Sequence, residues 1–351
     1  MQTRGKADHA SDSQKSAAEY LPWVDVAKAA AIVLVVLFHS RYTTWFVGFT
    51  NDDFADDFWG YAGEALTPLR MPVFFVVSGM LAASAVHREW ARVSTKRVWS
   101  SLYVYVVWAV IYMLLIPAWP HITESNFSLW QQIGMIVIGD TSAWYLWALV
   151  VFFVIARLTK NVGTYAVLGI AFAIAMVAPE LRDALHHPPR LMMQCAFFFL
   201  LGARVPQLPV KVAASATVWR LGMSSVALIV LLLAHLKHVP GVYPFAGCAA
   251  VVWAIMASSL AVRHFELARR WGGWLGTRTL PVYVLHFVVL TVVINVARST
   301  LPDFMISSAL VALVAPLVLA IAVFAISLGL AVALPRIGLA WLFALPRKLS
   351  A

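Results

Sequence analysis

"WVDVAKAAAIVLVVLFHS", residues 23–40, is the stretch on which the fold turns. Most of it is apolar enough to sit in lipid, and it has the length of a membrane-crossing helix, roughly 17–25 residues. It nevertheless carries Asp25, Lys28 and His39. On a helix, Lys28 and His39 are close to three whole turns apart and share a face. Asp25 lies one turn before Lys28 on the same stripe. An ionisable group at membrane depth is costly and marks a functional position by default.

The rest of the chain is built from similar material. Of 351 residues, 62% are hydrophobic and only 12% charged, about half the charged share of an ordinary soluble protein. The expected fold class is therefore all-α, a polytopic membrane helix bundle. The 15 Trp and 20 Phe suit interfacial aromatic belts. A net charge of +10 can signal nucleic acid, but the cations here fall in short loops between apolar runs. Membrane topology explains them better, and no nucleic-acid partner is expected. Cys195 and Cys248 each lie inside an apolar stretch, so neither a disulfide framework nor a metal site is expected. The polar segment before Leu21 lacks an apolar signal core. It reads as a flexible cytosolic tail, 1–20, followed by one transmembrane domain, 21–345, and a short cytosolic tail, 346–351.

Ten spans are expected, at 23–45, 67–86, 98–117, 142–158, 163–179, 191–205, 217–236, 243–262, 279–297 and 307–334. The stretch 129–139 is apolar but too short to cross, and reads as interfacial or re-entrant. Pro316 is a candidate kink in the last span. With a cytosolic N-terminus, the outer loops hold only Arg182, Arg190, Lys237 and Arg298 of the 26 Lys and Arg. Lys28, Arg41 and Arg70 lie in or at the ends of spans, and the remaining cations are cytosolic. This asymmetry supports ten spans with both termini inside. No internal repeat is evident.

Helical rise sets depths. His39 lies about 24 Å past Trp23, in the outer half, and Lys28 about 7 Å in from the cytosolic side. Arg70 in "LTPLRMPVFFVVSGM" is expected near the outer face, level with His39. Ser78 and Gly79 fall near mid-membrane, where a glycine permits close helix approach and a serine can bond across helices. His286 in "LPVYVLHFVVL" is expected about 10 Å from the inner face, near the Lys28 layer, with Tyr283 one turn below.

These residues resemble the acyltransferase-3 family of bacterial integral-membrane O-acyltransferases. Four pieces match in order: Asp25, Lys28 and His39 in the first helix; "MPVFFVVSGM" in the second; "SAWYLWALVVFF" in the fourth; and "LPVYVLHF" late in the chain. The segment "FFFLLGARV", 197–205, is similar too, so the match covers about residues 21 to 335. The nearest members are the short sugar-acetylating forms without a soluble extension. Two features depart from the family pattern. The first-helix cation is Lys28 where arginine is common, and "HREWARVSTKR" offers Arg88, Arg92, Lys96 and Arg97 instead of a clean Arg-x-x-Arg.

The resemblance implies a multi-pass protein of the bacterial cytoplasmic membrane that moves an acyl group, acetyl in the nearest members, from acyl-CoA to a hydroxyl of a sugar or glycan. Acyl-CoA is then a co-substrate, with no permanently bound cofactor. A neutral imidazole suits this chemistry as base or as nucleophile, and the expected catalytic residues are His39 with Lys28 and Asp25. Lys28, about 16 Å away along the axis, is paired with Asp25 or aimed at the donor. Arg41 and Arg70 are the nearer candidates for oxyanion stabilisation or acceptor placement, with Glu64 orienting Arg70. Arg92, Lys96 and Arg97 are candidates for the CoA phosphates. A shaft between the Lys28 and His39 layers would let the acyl group cross.

Plainer readings stand beside these. His39 suits an interfacial histidine, and Asp25–Lys28 a neutralised pair with a snorkelling lysine. His286 suits an interhelical hydrogen bond as well as substrate contact, and Ser78 suits packing, since no nucleophile elbow surrounds it. Trp144 and Tyr145 suit an aromatic belt or a sugar platform, and the basic 88–97 segment is first of all a topology signal. A transporter or flippase of a lipid-linked sugar, and a non-catalytic scaffold, are the competing functions. Oligomeric state is not readable.

Overall fold

The computed structural model describes residues 21–46, 53–115, 128–185, 187–300 and 308–346, and every regular element among them is helical. In chain order these are α1 (Pro22–Phe46), α2 (Asp53–Ala65), α3 (Thr67–Val86), α4 (Trp90–Leu115), α5 (Leu129–Ile138), α6 (Trp144–Leu158) and α7 (Thr164–Val177). There follow α8 (His187–Arg204), α9 (Gln207–Ala214), α10 (Val218–Leu236), α11 (Tyr243–His264), α12 (Glu266–Gly276), α13 (Thr279–Thr300) and α14 (Ala309–Arg336). The tails at 1–20 and 347–351 lie outside the described residues.

Among the described residues, eight helical stretches are long and apolar enough to cross a membrane, nine if the pair α8–α9 counts as one bent span. The expected ten thus fall short at two segments. The helix at 144–158 is only 15 residues, about 22 Å of rise against a hydrocarbon core of about 30 Å. The segment 191–205 belongs to α8, which breaks before Pro206 and turns by 82° into α9. Proline cannot continue the hydrogen-bond ladder, and it disfavours helical geometry in the residue before it. Pro316, by contrast, lies inside a 28-residue helix that runs on through it.

The tightest crossing joins α3 to α8, and glycine makes it possible. A Cβ on Gly79 would fall 2.0 Å from the Phe199 carbonyl oxygen, and one on Gly202 would fall 2.1 Å from that of Val76. With lipid on the outside, helices associate through close van der Waals contact, and only bare backbones approach this far. Around this crossing Phe75, Phe152, Phe198 and Phe199 form one buried cluster. A second cluster holds α1, α4, α13 and α14 together through Ile32, Val36, Tyr105, Leu290 and Val323. Helix α10 fully buries only Leu228; one side is half-buried against α11, where Trp253 donates to Ser225, and the other exposes apolar side chains.

Arginines close several helix ends. Arg157 donates to the carbonyls of Val86 (3.0 Å) and Arg88 (2.6 Å) at the end of α3. Arg204 donates to the Thr159 hydroxyl at 2.9 Å and to the carbonyls of Thr159, Lys160 and Val162 after α6. Arg263 donates to those of Ala213, Ala214 and Ala216 after α9. Each guanidinium satisfies carbonyls that have no intrahelical partner and sits at the negative end of the helix dipole. Cations that read as a topology signal therefore also terminate helices. The apolar 129–138 segment is a short helix with a Ser128–Gln131 capping box and a left-handed Gly139 at its end.

Candidate active site

His39 sits in the last third of α1. Its Nδ1 donates to the Val35 carbonyl one turn earlier, at 2.9 Å. A carbonyl only accepts, so Nδ1 carries the proton and Nε2 keeps its lone pair. The ring meets the His286 ring with centroids 5.0 Å apart and Phe287 at 5.7 Å.

The position of His286 corrects the sequence expectation. It lies beside His39, not in the Lys28 layer. The reason is where α13 begins. Gly276, just before it, packs on Asp25, where an added Cβ would come within 2.4 Å of the Asp25 Cβ. The turn into α13 therefore lies inside the bundle, already level with the end of the first turn of α1. Each residue beyond it is deeper than a count from the membrane surface predicts.

Ring contacts and hydrogen bonds link the two histidines to side chains across the bundle. His286 Nδ1 donates to the Tyr283 carbonyl. The Tyr283 hydroxyl donates to the Ser142 carbonyl at 3.1 Å and accepts from the Tyr145 amide at 3.3 Å. The Tyr145 hydroxyl shares a 2.8 Å bond with Ser78. Ser78, Tyr145, Tyr283, His286 and His39, drawn from α3, α6, α13 and α1, thus form one connected group. Trp144 turns away from it and packs on Phe75, centroids 6.0 Å apart.

Arg70 reaches this group's edge through Phe38, whose ring also meets that of His39. Its guanidinium stacks on the Phe38 ring at 3.8 Å. It donates to Thr67 Oγ1 at 2.7 Å and to the Gly63 carbonyl at 3.5 Å. Only 6% of Arg70 is exposed, and its buried Nε has no partner among the described residues. Arg70 and Arg41 line one crevice with Trp59 and Gly63, of about 10 Å³, the room of a single water. Arg41 reaches over Gly60, where an added Cβ would lie 3.6 Å from Nη2. Glu64 does not orient Arg70 as expected. Its carboxylate lies 3.3 Å from His238 Nδ1, because the turn between α10 and α11 carries His238 there with positive φ.

Lys28 and Asp25 form an ion pair of 2.7 Å near the opposite end of α1, Asp25 being buried. Of the cations expected to hold CoA, Arg92 pairs with Glu89 at 3.0 Å on the surface. Arg97 donates to the Leu81 carbonyl at 2.5 Å beside a π-helical turn, Thr95–Trp99. Lys96 is exposed. The sequence reading missed Phe38 and Thr67, which hold Arg70; the i,i+3 spacing of Thr67 and Arg70 was its available signal. No group of three or more His, Cys, Asp or Glu suited to a metal ion occurs among the described residues.

A helical membrane bundle whose first helix turns a histidine onto a late-helix histidine, with an ion pair below and a buried arginine beside it, belongs to a recognisable class. The chain is a member of the acyltransferase-3 family: the family model, described as an acyltransferase domain, matches residues 21–335. Membership places it among membrane acyltransferases. Among individual proteins it is similar to the inner membrane protein YcfT of Escherichia coli strain K12, with 30% identity over 153 residues. That stretch is 39% of this chain and 43% of YcfT, less than half of either. No solved structure matches.

Proposed function

We propose that this protein is an O-acyltransferase of the bacterial cytoplasmic membrane. It transfers an acyl group, acetyl by analogy with the short family members, from acyl-CoA to a hydroxyl of a cell-envelope sugar or glycan. The observation that carries this reading is the tautomer of His39. With Nδ1 held on the Val35 carbonyl, Nε2 is a free lone pair inside a bundle, as a base or nucleophile of acyl transfer requires. Arg70, buried and stacked on Phe38, the chain neighbour of His39, is the cation suited to the oxyanion or to an acceptor's polar groups. Lys28 with Asp25 stands on the donor side, where both chain termini are cytosolic in this reading. A crevice of about 10 Å³ beside Arg70 admits no sugar, so the acceptor enters by displacing side chains or helices around Arg41 and α2.

The test is incorporation of labelled acetyl from acetyl-CoA into envelope glycan by membranes containing the wild-type chain or His39→Ala. Loss of incorporation in the variant, by about 10²-fold or more, is the expected result. Equal incorporation in both would falsify the assignment.

A further inference from the structure

We propose that His286 is a second catalytic residue: the base that takes the acceptor's hydroxyl proton while His39 carries the acyl group. The inference rests on the acyl-transfer reading above and adds to it a division of labour between two imidazoles.

Both rings are held in the same way. His39 Nδ1 donates to Val35, and His286 Nδ1 donates to Tyr283, each a carbonyl of its own helix. Both Nε2 atoms therefore carry lone pairs, and the rings lie 5.0 Å apart. His286 is only 1% exposed, yet its Nε2 has no hydrogen-bond partner among the described residues. A buried acceptor left unsatisfied is costly. A histidine kept for helix packing places both nitrogens on partners; this one spends Nδ1 on its own helix and leaves the other nitrogen bare beside His39. The Tyr283 hydroxyl, fixed by Ser142 and Tyr145, anchors the turn of α13 from which the ring projects.

Access separates the roles. His39, half-buried next to Phe38, on whose ring Arg70 stacks, is the more open of the two rings and is assigned the acyl group. His286 is enclosed, and a proton is what reaches it. In the first step, His39 Nε2 bonds to the thioester carbon, the C–S bond breaks, and CoA leaves as a thiolate that takes a proton from water. His39 then has no lone pair for base catalysis at Nε2. In the second step the acceptor oxygen bonds to the acyl carbon and its proton passes to His286 Nε2. The C–N bond breaks, returning its electron pair to His39. His286 releases its proton to the hydroxide left by the first step, so thioester and alcohol have become ester and thiol.

The test uses the full chain in detergent with acetyl-CoA and no acceptor. The wild type is expected to release one equivalent of free thiol per chain in a burst, leaving an acetyl mass on the peptide that contains His39. His286→Gln is expected to keep the burst while lowering transfer to added envelope glycan by about 10²–10⁴-fold, so that acetylated chain accumulates. Transfer at the wild-type rate in His286→Gln overturns the proposal, as does loss of the burst together with transfer. Should that variant not fold, the wild type still decides: transfer without a burst means a single-step reaction and overturns this inference alone. Wild-type protein with neither thiol release nor transfer overturns the acyltransferase reading itself.

Discussion

His39 on α1 and His286 on α13 lie ring against ring, 5.0 Å between centroids, each with Nδ1 committed to a carbonyl of its own helix. Nothing in the spacing of either motif announces this meeting. It arises because Gly272 and Gly276 let α12 settle on Val26 and Asp25 of α1, which fixes how deep α13 starts. Replacing Gly276 by valine should therefore reach the site from a distance. The added side chain meets Asp25 backbone and Cβ, α12 must lift, and His286 loses its register against His39. Acetyl transfer is expected to fall by at least tenfold, as a small misplacement of reacting groups commonly does, with the chain still inserted in the membrane. Unaltered transfer in Gly276→Val counts against this coupling.

How much of this was legible in the sequence follows from what one helix knows of another. The stripe joining Asp25, Lys28 and His39 is local geometry of a single helix, and so is the apolar character of nearly every span. The pairing of Glu64 with His238 is not local, nor is the depth of His286: both depend on which helices are neighbours and where the connecting turns sit. Hydropathy also takes 142–158 as a span, because it measures apolarity and not helix length: the end at Leu158 is as expected, but the helix starts only at Trp144 and has 15 residues.

The α3–α8 crossing gives a stability prediction with a built-in control. Gly79→Ala places a methyl against the Phe199 carbonyl, and Gly202→Ala places one against that of Val76; both obstacles are backbone. Each should destabilise the protein by about 1–3 kcal/mol, the usual cost of overpacking. Gly222 on α10 has nothing within 4 Å of its would-be Cβ, so Gly222→Ala should leave stability unchanged or raise it by up to about 1 kcal/mol through helix propensity. Thermal unfolding in detergent reads all three. Equal melting temperatures for the Gly79 and Gly222 variants would show that the crossing tolerates separation.

Arg204→Met removes the donor that closes α6 and leaves the carbonyls of Thr159, Lys160 and Val162 without it. Hydrogen bonds from a charged donor contribute about 1.5–3 kcal/mol, so a clear fall in melting temperature is expected. Arg204→Lys should recover only part, since an ammonium cannot fork across several carbonyls. Full recovery by lysine would mean that charge at the helix end, not hydrogen-bond geometry, is what α6 needs.

The pair Lys28–Asp25 separates a structural from a chemical role for the first-helix cation. Lys28→Met removes the cation from a buried carboxylate, and breaking a buried pair costs about 3–5 kcal/mol; Asp25 is 6% exposed, while the Lys28 side chain at 22% is partly open, so the lower end applies. Lys28→Met combined with Asp25→Asn removes both charges and should restore most of the lost stability. If Lys28 serves only its partner, the double variant regains acetyl transfer as well. If Lys28 acts on the donor, stability returns and transfer does not, and the Michaelis constant for acetyl-CoA rises while that for the acceptor stays put. Steady-state kinetics beside thermal unfolding on the single and double variants divides the two cases, and restored transfer in the double variant removes Lys28 from the chemistry.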